Sequence, residues 1–184
     1  MPAVQTHAGA ALTAAPAPTP YLRRWRWTGL GLAAVIALID QVTKFWALRA
    51  LTPNEPRGLI GEAIRLNLIR NPGAAFSMGD GMTWVLTAVA LAITGWLAHS
   101  LWTTTSKPWV LTLGVLLGGA VGNLIDRAVR TPGPGRGHVV DFLDYFGLFV
   151  GNVADIAIVL AAAGLAWLAL RGIPMRDQSE EAHP

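Results

Sequence analysis

Apolar residues in this chain fall into four long blocks separated by polar or glycine- and proline-rich stretches. At 1.5 Å per residue, about 20 apolar residues in a helix cross a hydrocarbon layer of roughly 30 Å. The pattern therefore predicts four membrane-spanning helices, at about residues 28–48, 82–102, 109–125 and 149–170. The second block carries no formal charge. The third contains Gly114, Gly118 and Gly122, whose spacing lines three bare positions along one helix face and suits close backbone approach. The fourth is apolar except for Asn152 and Asp155 near its start. Trp84, Trp102, Trp109 and Trp167 fall near block ends, where aromatic side chains favour the membrane–water boundary.

The connections differ in kind. Residues 103–108 suffice only for a short turn. Between the first two blocks, Ile64, Leu66 and Leu68 alternate with Arg65 and Asn67 until Asn71-Pro72-Gly73 breaks the run, which predicts a small β element outside the lipid core. Between the last two blocks, residues 131–137 are turn-rich, and residues 138–146 form an apolar segment interrupted by Asp141 and Asp144. Both long connections lie on one side of the membrane, and both termini lie together on the other. The expected fold is an all-α polytopic membrane protein with this β element. Its domain runs over residues 23–172, between a disordered N-terminal tail, residues 1–22, and a C-terminal tail, residues 173–184. Residues 1–20 have no Lys, Arg, Asp or Glu and are rich in Ala, Pro and Thr, too little apolar surface to offset their ordering entropy.

Composition agrees with a membrane location. Of 184 residues, 53% are hydrophobic and only 14% charged, whereas soluble domains carry about 25% charged residues. The absence of cysteine excludes disulfides, thiolate metal sites and a cysteine nucleophile. A net charge of +3 and a pI near 10.0 raise nucleic acid as a partner, but the basic residues cluster near block ends instead of on one face, and no nucleic-acid partner is expected. Arg23, Arg24 and Arg26 before the first block resemble a signal peptide until Asp40 and Lys44 interrupt it and the apolar pattern runs on, so an uncleaved span is expected. Basic residues on the two sides of the membrane are tied in number. The arginine cluster ahead of the first span therefore decides the expected orientation, with cytoplasmic termini.

An ionisable group at membrane depth costs about 2.5 to 3.5 kcal/mol, so each needs a partner or a purpose. Asp40 and Lys44, four apart, share a helix face as an expected ion pair. Asn123 and Arg127 share a face beside Asp126, where Arg127 is expected to pair with a carboxylate. Asn152 and Asp155 share a face at the start of the fourth span, and Asp141 lies in a segment that can fold back toward that end. Spacing leaves three readings of Asp141 and Asp155 open: a shared acid–base pair, unrelated structural carboxylates, or part of an ion or proton path. His138 raises a metal site, but no second well-placed histidine accompanies it, and none is expected.

Five runs then carry a resemblance: Asp40-Gln41-Val42-Thr43-Lys44, Asn71-Pro72-Gly73-Ala74-Ala75-Phe76-Ser77, Gly118 through Asn123-Leu124-Ile125-Asp126-Arg127, Val139-Val140-Asp141-Phe142, and Asn152-Val153-Ala154-Asp155. In this order they resemble the motifs of the lipoprotein signal peptidase (signal peptidase II) family. The resemblance implies an intramembrane aspartyl endopeptidase of the bacterial cytoplasmic (inner) membrane, with four transmembrane helices and a small extracytoplasmic β cradle. It implies Asp141 and Asp155 as the catalytic pair near the extracytoplasmic face, with Asp40, Lys44, Asn71, Gly73, Asn123, Arg127 and Asn152 binding substrate or supporting the site. It also implies prolipoprotein substrates bearing diacylglyceryl-cysteine, membrane lipid as surroundings, no cofactor, and a monomer. Two departures stand out. Gly151 occupies a position where the family pattern usually has Phe, and residues 131–137 are longer and richer in Gly and Pro than the usual connection.

Overall fold

The computed structural model of the protein describes residues 20–73 and 83–176. The expected N-terminal tail up to residue 19, the motif residues Ala74 to Ser77 and residues 177–184 lie outside the described residues.

Four helices, α1 (Pro20–Ala50), α2 (Thr83–Thr103), α3 (Lys107–Val129) and α4 (Val153–Leu170), are each long and apolar enough to span a membrane. Four strands, β1 (Arg57–Ile60), β2 (Ile64–Asn71), β3 (Val139–Tyr145) and β4 (Phe149–Gly151), form one antiparallel sheet in that order. The sheet joins the two long connections at the end of the bundle where α1 and α3 finish and α4 begins.

The bundle inverts the packing of a soluble protein. Helix α4 shows it: Ala154, Ala157 and Ala161 are buried, while Val159, Leu160 and Leu170 are exposed, and leucines fill the core mainly between α2 and α3, at Leu97, Leu101, Leu113 and Leu117. Lipid tails are as apolar as leucine, so close backbone packing holds the helices together. Helix α3 is central, packed against α1, α2 and α4. The glycine row makes the close helix contact that the spacing predicted, and its partner is α1. A Cβ at Gly118 would stand 2.7 Å from the Ala33 carbonyl oxygen, and one at Gly114 would stand 2.6 Å from the Gly29 carbonyl. Gly119 turns the next face of α3 onto Ala154 and Ile158 of α4.

Some boundaries differ from the sequence pattern. Helix α1 begins at Pro20, inside the expected tail, and α3 continues to Val129 beyond the expected end at residue 125. Asp126, in that last turn, pairs at 2.6 Å with Arg130, the extended residue that caps the helix, so its charge is compensated outside the apolar block. Residues 149–151 are strand, not the start of the fourth span. Phe146 and Gly147 adopt φ of 56° and 72°, turning β3 back into β4, and Asn152 caps α4 only after that hairpin. The expected C-terminal tail is docked over residues 173–175: the Met175 carbonyl accepts from Thr105 N–H and the Thr104 hydroxyl, and the Ile173 carbonyl from Trp109 Nε1 at 2.9 Å.

Gly118→Leu is expected to destabilise the bundle by about 1–3 kcal/mol through overpacking, lowering the unfolding temperature in micelles by several degrees. Gly31→Leu, where nothing lies within 4 Å of an added Cβ, is the matched comparison. Equal shifts in the two variants would show that the α1–α3 contact tolerates bulk.

Candidate active site

Sheet register brings the first polar residues together. Ile69 pairs with Asp141 and Asn71 with Val139, so Asn71 and Asp141 are diagonal neighbours on one face. The Asn71 amide donates to Asp141 Oδ2 at 2.9 Å. Its orientation is set by Gly73, whose N–H donates to Asn71 Oδ1 at 2.8 Å. Gly73 has φ of 100°, and a Cβ there would meet Arg127 Nη2 at 2.6 Å, so glycine satisfies both the left-handed backbone and the close approach.

Asp155 arrives from a helix N-terminus. Asn152 and Asp155 form a reciprocal capping box: Asn152 Oδ1 accepts from Asp155 N–H at 3.1 Å, and Asp155 Oδ2 accepts from Asn152 N–H at 3.0 Å. This satisfies two orphan donors of α4 and leaves the Asn152 amide nitrogen free to reach outward. That nitrogen donates to Asp141 Oδ1 at 2.6 Å and to Asn123 Oδ1 at 3.2 Å, while the Asn123 amide donates to Asp155 Oδ1 at 3.0 Å. Both carboxylates line one cavity of about 380 Å³, whose apolar wall includes Leu86, Ala90, Ile93, Ala120 and Ile158. Burial pushes the Asp141 carboxyl up to about 6, against hydrogen bonds from Asn71 and Asn152 that favour its charge, and the neighbouring Asp155 charge adds to the rise.

Behind the cavity lies a buried ionic cluster. Lys44 contacts Asp40 at 2.8 Å and Asp126 at 3.0 Å, with all three side chains fully buried, and donates to Asn123 Oδ1 at 2.9 Å. Asp40 Oδ1 accepts the Ala154 N–H at 3.0 Å, and Asp126 Oδ2 accepts the Val140 N–H at 3.0 Å. The Asp40–Lys44 pair is thus present as expected, although it forms half of a larger cluster.

Two expectations need correction. Arg127 has no carboxylate partner at ion-pair distance among the described residues. Its guanidinium donates to the carbonyls of Pro72 at 3.2 Å and Gly137 at 3.3 Å, tying the two long connections together, because Asp126 on the next position points toward α1 and β3. His138 does not join Asp141; it stands just before β3 and lines a different cavity with Val140. Three contributors escaped the sequence reading. Gln41, inside the first motif, donates to Asp40, Asp126 and the Gly122 carbonyl at 3.0–3.1 Å. Arg130 holds Asp126, a contact its four-residue spacing could have revealed. Phe149, assigned by its hydropathy to a span, lines the cavity instead.

Comparison with known proteins follows the same residues. The family model described as Signal peptidase (SPase) II matches residues 32–171. The lipoprotein signal peptidase of Mycolicibacterium smegmatis is 46% identical over 163 residues, covering 84% of this chain and 68% of the relative. That of Mycobacterium tuberculosis is 45% identical over 167 residues, covering 89% and 79%.

The chain belongs to the signal peptidase II family.

It is therefore a multi-pass membrane peptidase. The fold agrees: two solved bacterial membrane enzymes superpose with TM-scores of 0.69, at 23% and 21% identity, covering 78% and 85% of this chain and 93% and 92% of theirs. The bare position at Gly151 has a local reason. A Cβ there would lie 2.7 Å from Phe149 Cε1 and 2.9 Å from Asp155 Oδ2, so the Phe149 ring occupies the space beside the bare position.

Lys44→Met should destabilise the protein by about 3–5 kcal/mol, because it leaves Asp40 and Asp126 buried without their shared cation. Thermal unfolding in detergent measures this. A variant that melts with the wild type would remove Lys44 from the structural frame.

Proposed function

We propose that this chain removes the signal peptide from prolipoproteins carrying a diacylglyceryl group on the cysteine that follows the cleavage site, and that Asp141 and Asp155 are its catalytic pair. The observation that carries the reading is the convergence of these two carboxylates, one from a strand and one from a helix start, on a single cavity where Asn123 and Asn152 bridge them. The alternative of a conduit is disfavoured because the polar side chains gather at one end of the bundle instead of crossing it.

Charge balance supports a shared proton. The cluster holds the carboxyls of Asp40, Asp126, Asp141 and Asp155 against the cations Lys44, Arg127 and Arg130. One proton on the Asp141–Asp155 pair makes this set neutral, which the lipid boundary favours. Asp141, with its carboxyl raised to about 6 by burial, can hold that proton and polarise the scissile carbonyl. Asp155 then takes a proton from the attacking water, and no acyl-enzyme forms. Asn71, Asn123 and Asn152 hold the carboxylates in place, Arg127 and Gly73 shape the mouth, and Asp40 and Lys44 brace Asn123 from behind. The apolar wall between α2, α3 and α4 suits the acyl chains, each buried CH₂ contributing about 0.8 kcal/mol. This chemistry requires no metal or cofactor.

The family match over residues 32–171 supports residues 23–172 as the peptidase domain. The wider reading is a monomer in the bacterial cytoplasmic membrane, its termini cytoplasmic and its site near the extracytoplasmic face. The arginine-rich approach to α1 supports that orientation.

In cleavage of a lipidated prolipoprotein by purified protein in micelles, Asp141→Asn and Asp155→Asn should each lower the rate by roughly 10² to 10⁴. The unlipidated peptide should be a very poor substrate of the wild type. Substantial turnover by either folded variant would falsify the pair, and equal rates on the two substrates would remove the lipid from recognition.

The pH profile offers a separate check. With one shared proton active, kcat/KM should fall as pH rises through a macroscopic value at or above about 6, when that proton leaves, and again in acid when both groups are protonated. A rate flat from pH 5 to about 9 would contradict the shared proton.

A further inference from the structure

Strand β3 has two faces, and the proposed reaction uses one. Val139 and Asp141 face the reaction cavity, whereas Val140 faces a second cavity of about 290 Å³ lined by Leu48, Val129, Arg70, Arg130, Thr131 and His138. We propose that this second cavity binds the phosphate group of an anionic membrane lipid.

Position is the first argument. Leu48 and Val129 lie in the last turns of α1 and α3, the level at which the hydrocarbon ends and headgroups begin. Val129 is 72% exposed, so the cavity has an apolar edge open to the surroundings of the bundle as well as a polar interior. A soluble anion would find no use for that edge; a lipid has a chain to lay against it.

Charge is the second. Among the described residues, no acidic side chain lines the cavity. Arg70 donates from Nη1 to the Thr131 hydroxyl at 3.0 Å, which holds the guanidinium over the cavity, and none of the ion pairs among the described residues uses it. Arg130 spends its Nε on Asp126, a carboxylate that Lys44 also neutralises, leaving four of the five guanidinium N–H donors. His138 and the Thr131 hydroxyl add further donors. A guanidinium matches two phosphate oxygens with parallel hydrogen bonds. The carbonyl end of α3, which would repel an anion, is partly occupied: the Asp126 and Arg127 carbonyls accept from Arg130 and Gly137 N–H at 3.0 and 3.1 Å.

The test titrates the full chain in neutral detergent with short-chain phosphatidylglycerol, phosphatidylcholine and inorganic phosphate, reading bound mass by native mass spectrometry. Phosphatidylglycerol should bind most tightly. Arg70→Gln should weaken it about tenfold, the loss of a charge-assisted contact, while Arg57→Gln, the same charge change on exposed β1, should change it less than about twofold. His138→Gln gives a second variant if Arg70→Gln fails to fold by circular dichroism, and it should also weaken binding. Equal losses at Arg70 and Arg57, or none in a folded pocket variant, would overturn the site. Displacement of the lipid by equimolar inorganic phosphate as readily as by the lipid itself would make it an ion site and overturn the lipid assignment.

Discussion

The Lys44 ammonium sits fully buried between Asp40 and Asp126 and donates to Asn123, and each of these three acceptors carries a second duty. Asp40 takes an N–H from the first turn of α4. Asp126 takes an N–H from β3 and holds Arg130. Asn123 donates to Asp155. A buried charge is strongly unfavourable unless every hydrogen-bonding position around it is filled, so α1, α3, α4 and the sheet can be satisfied together only in one arrangement. The rest of the bundle is held by apolar and small-residue packing that is weakly directional. The polar cluster supplies the direction.

The same economy of groups appears at the cavity. Asn152 caps α4 with its side-chain oxygen and reaches Asp141 with its nitrogen. The interaction that starts the fourth helix therefore also sets its distance from β3. Asp141 and Asp155 come from a strand and a helix, elements whose relative position neither could fix alone. A rigid surround of this kind is what the proposed acid–base chemistry would need, since a displacement of about 1 Å between reacting groups can cost about 10²-fold in rate.

Small residues make the arrangement possible. Gly122 lies against Asp40, where a Cβ would stand 2.6 Å from Oδ2. The glycine row thus does more than bring two helix backbones together; its last member makes room for the carboxylate that pairs with Lys44. Helix contact and polar cluster are one structure read at successive turns of α3.

Much of this was legible from the sequence. Four apolar blocks determined four helices, because in a bilayer backbone groups must be satisfied within the segment. The spacings Asp40–Lys44 and Gly114–Gly118–Gly122 determined a face each, because helical period is local. The motif order marked Asp141 and Asp155. What tertiary structure alone decided was contact between residues far apart in the chain. The partners of Arg127 are carbonyls brought by two connections. Phe149 and Gly151 pair with β3 although their hydropathy suited a helix. Val139 and Val140, alike in type, serve two different cavities. Hydropathy records how apolar a position is, and spacing records which neighbours share a face. Neither records what stands opposite that face, which is settled only when every buried polar group has found its partner.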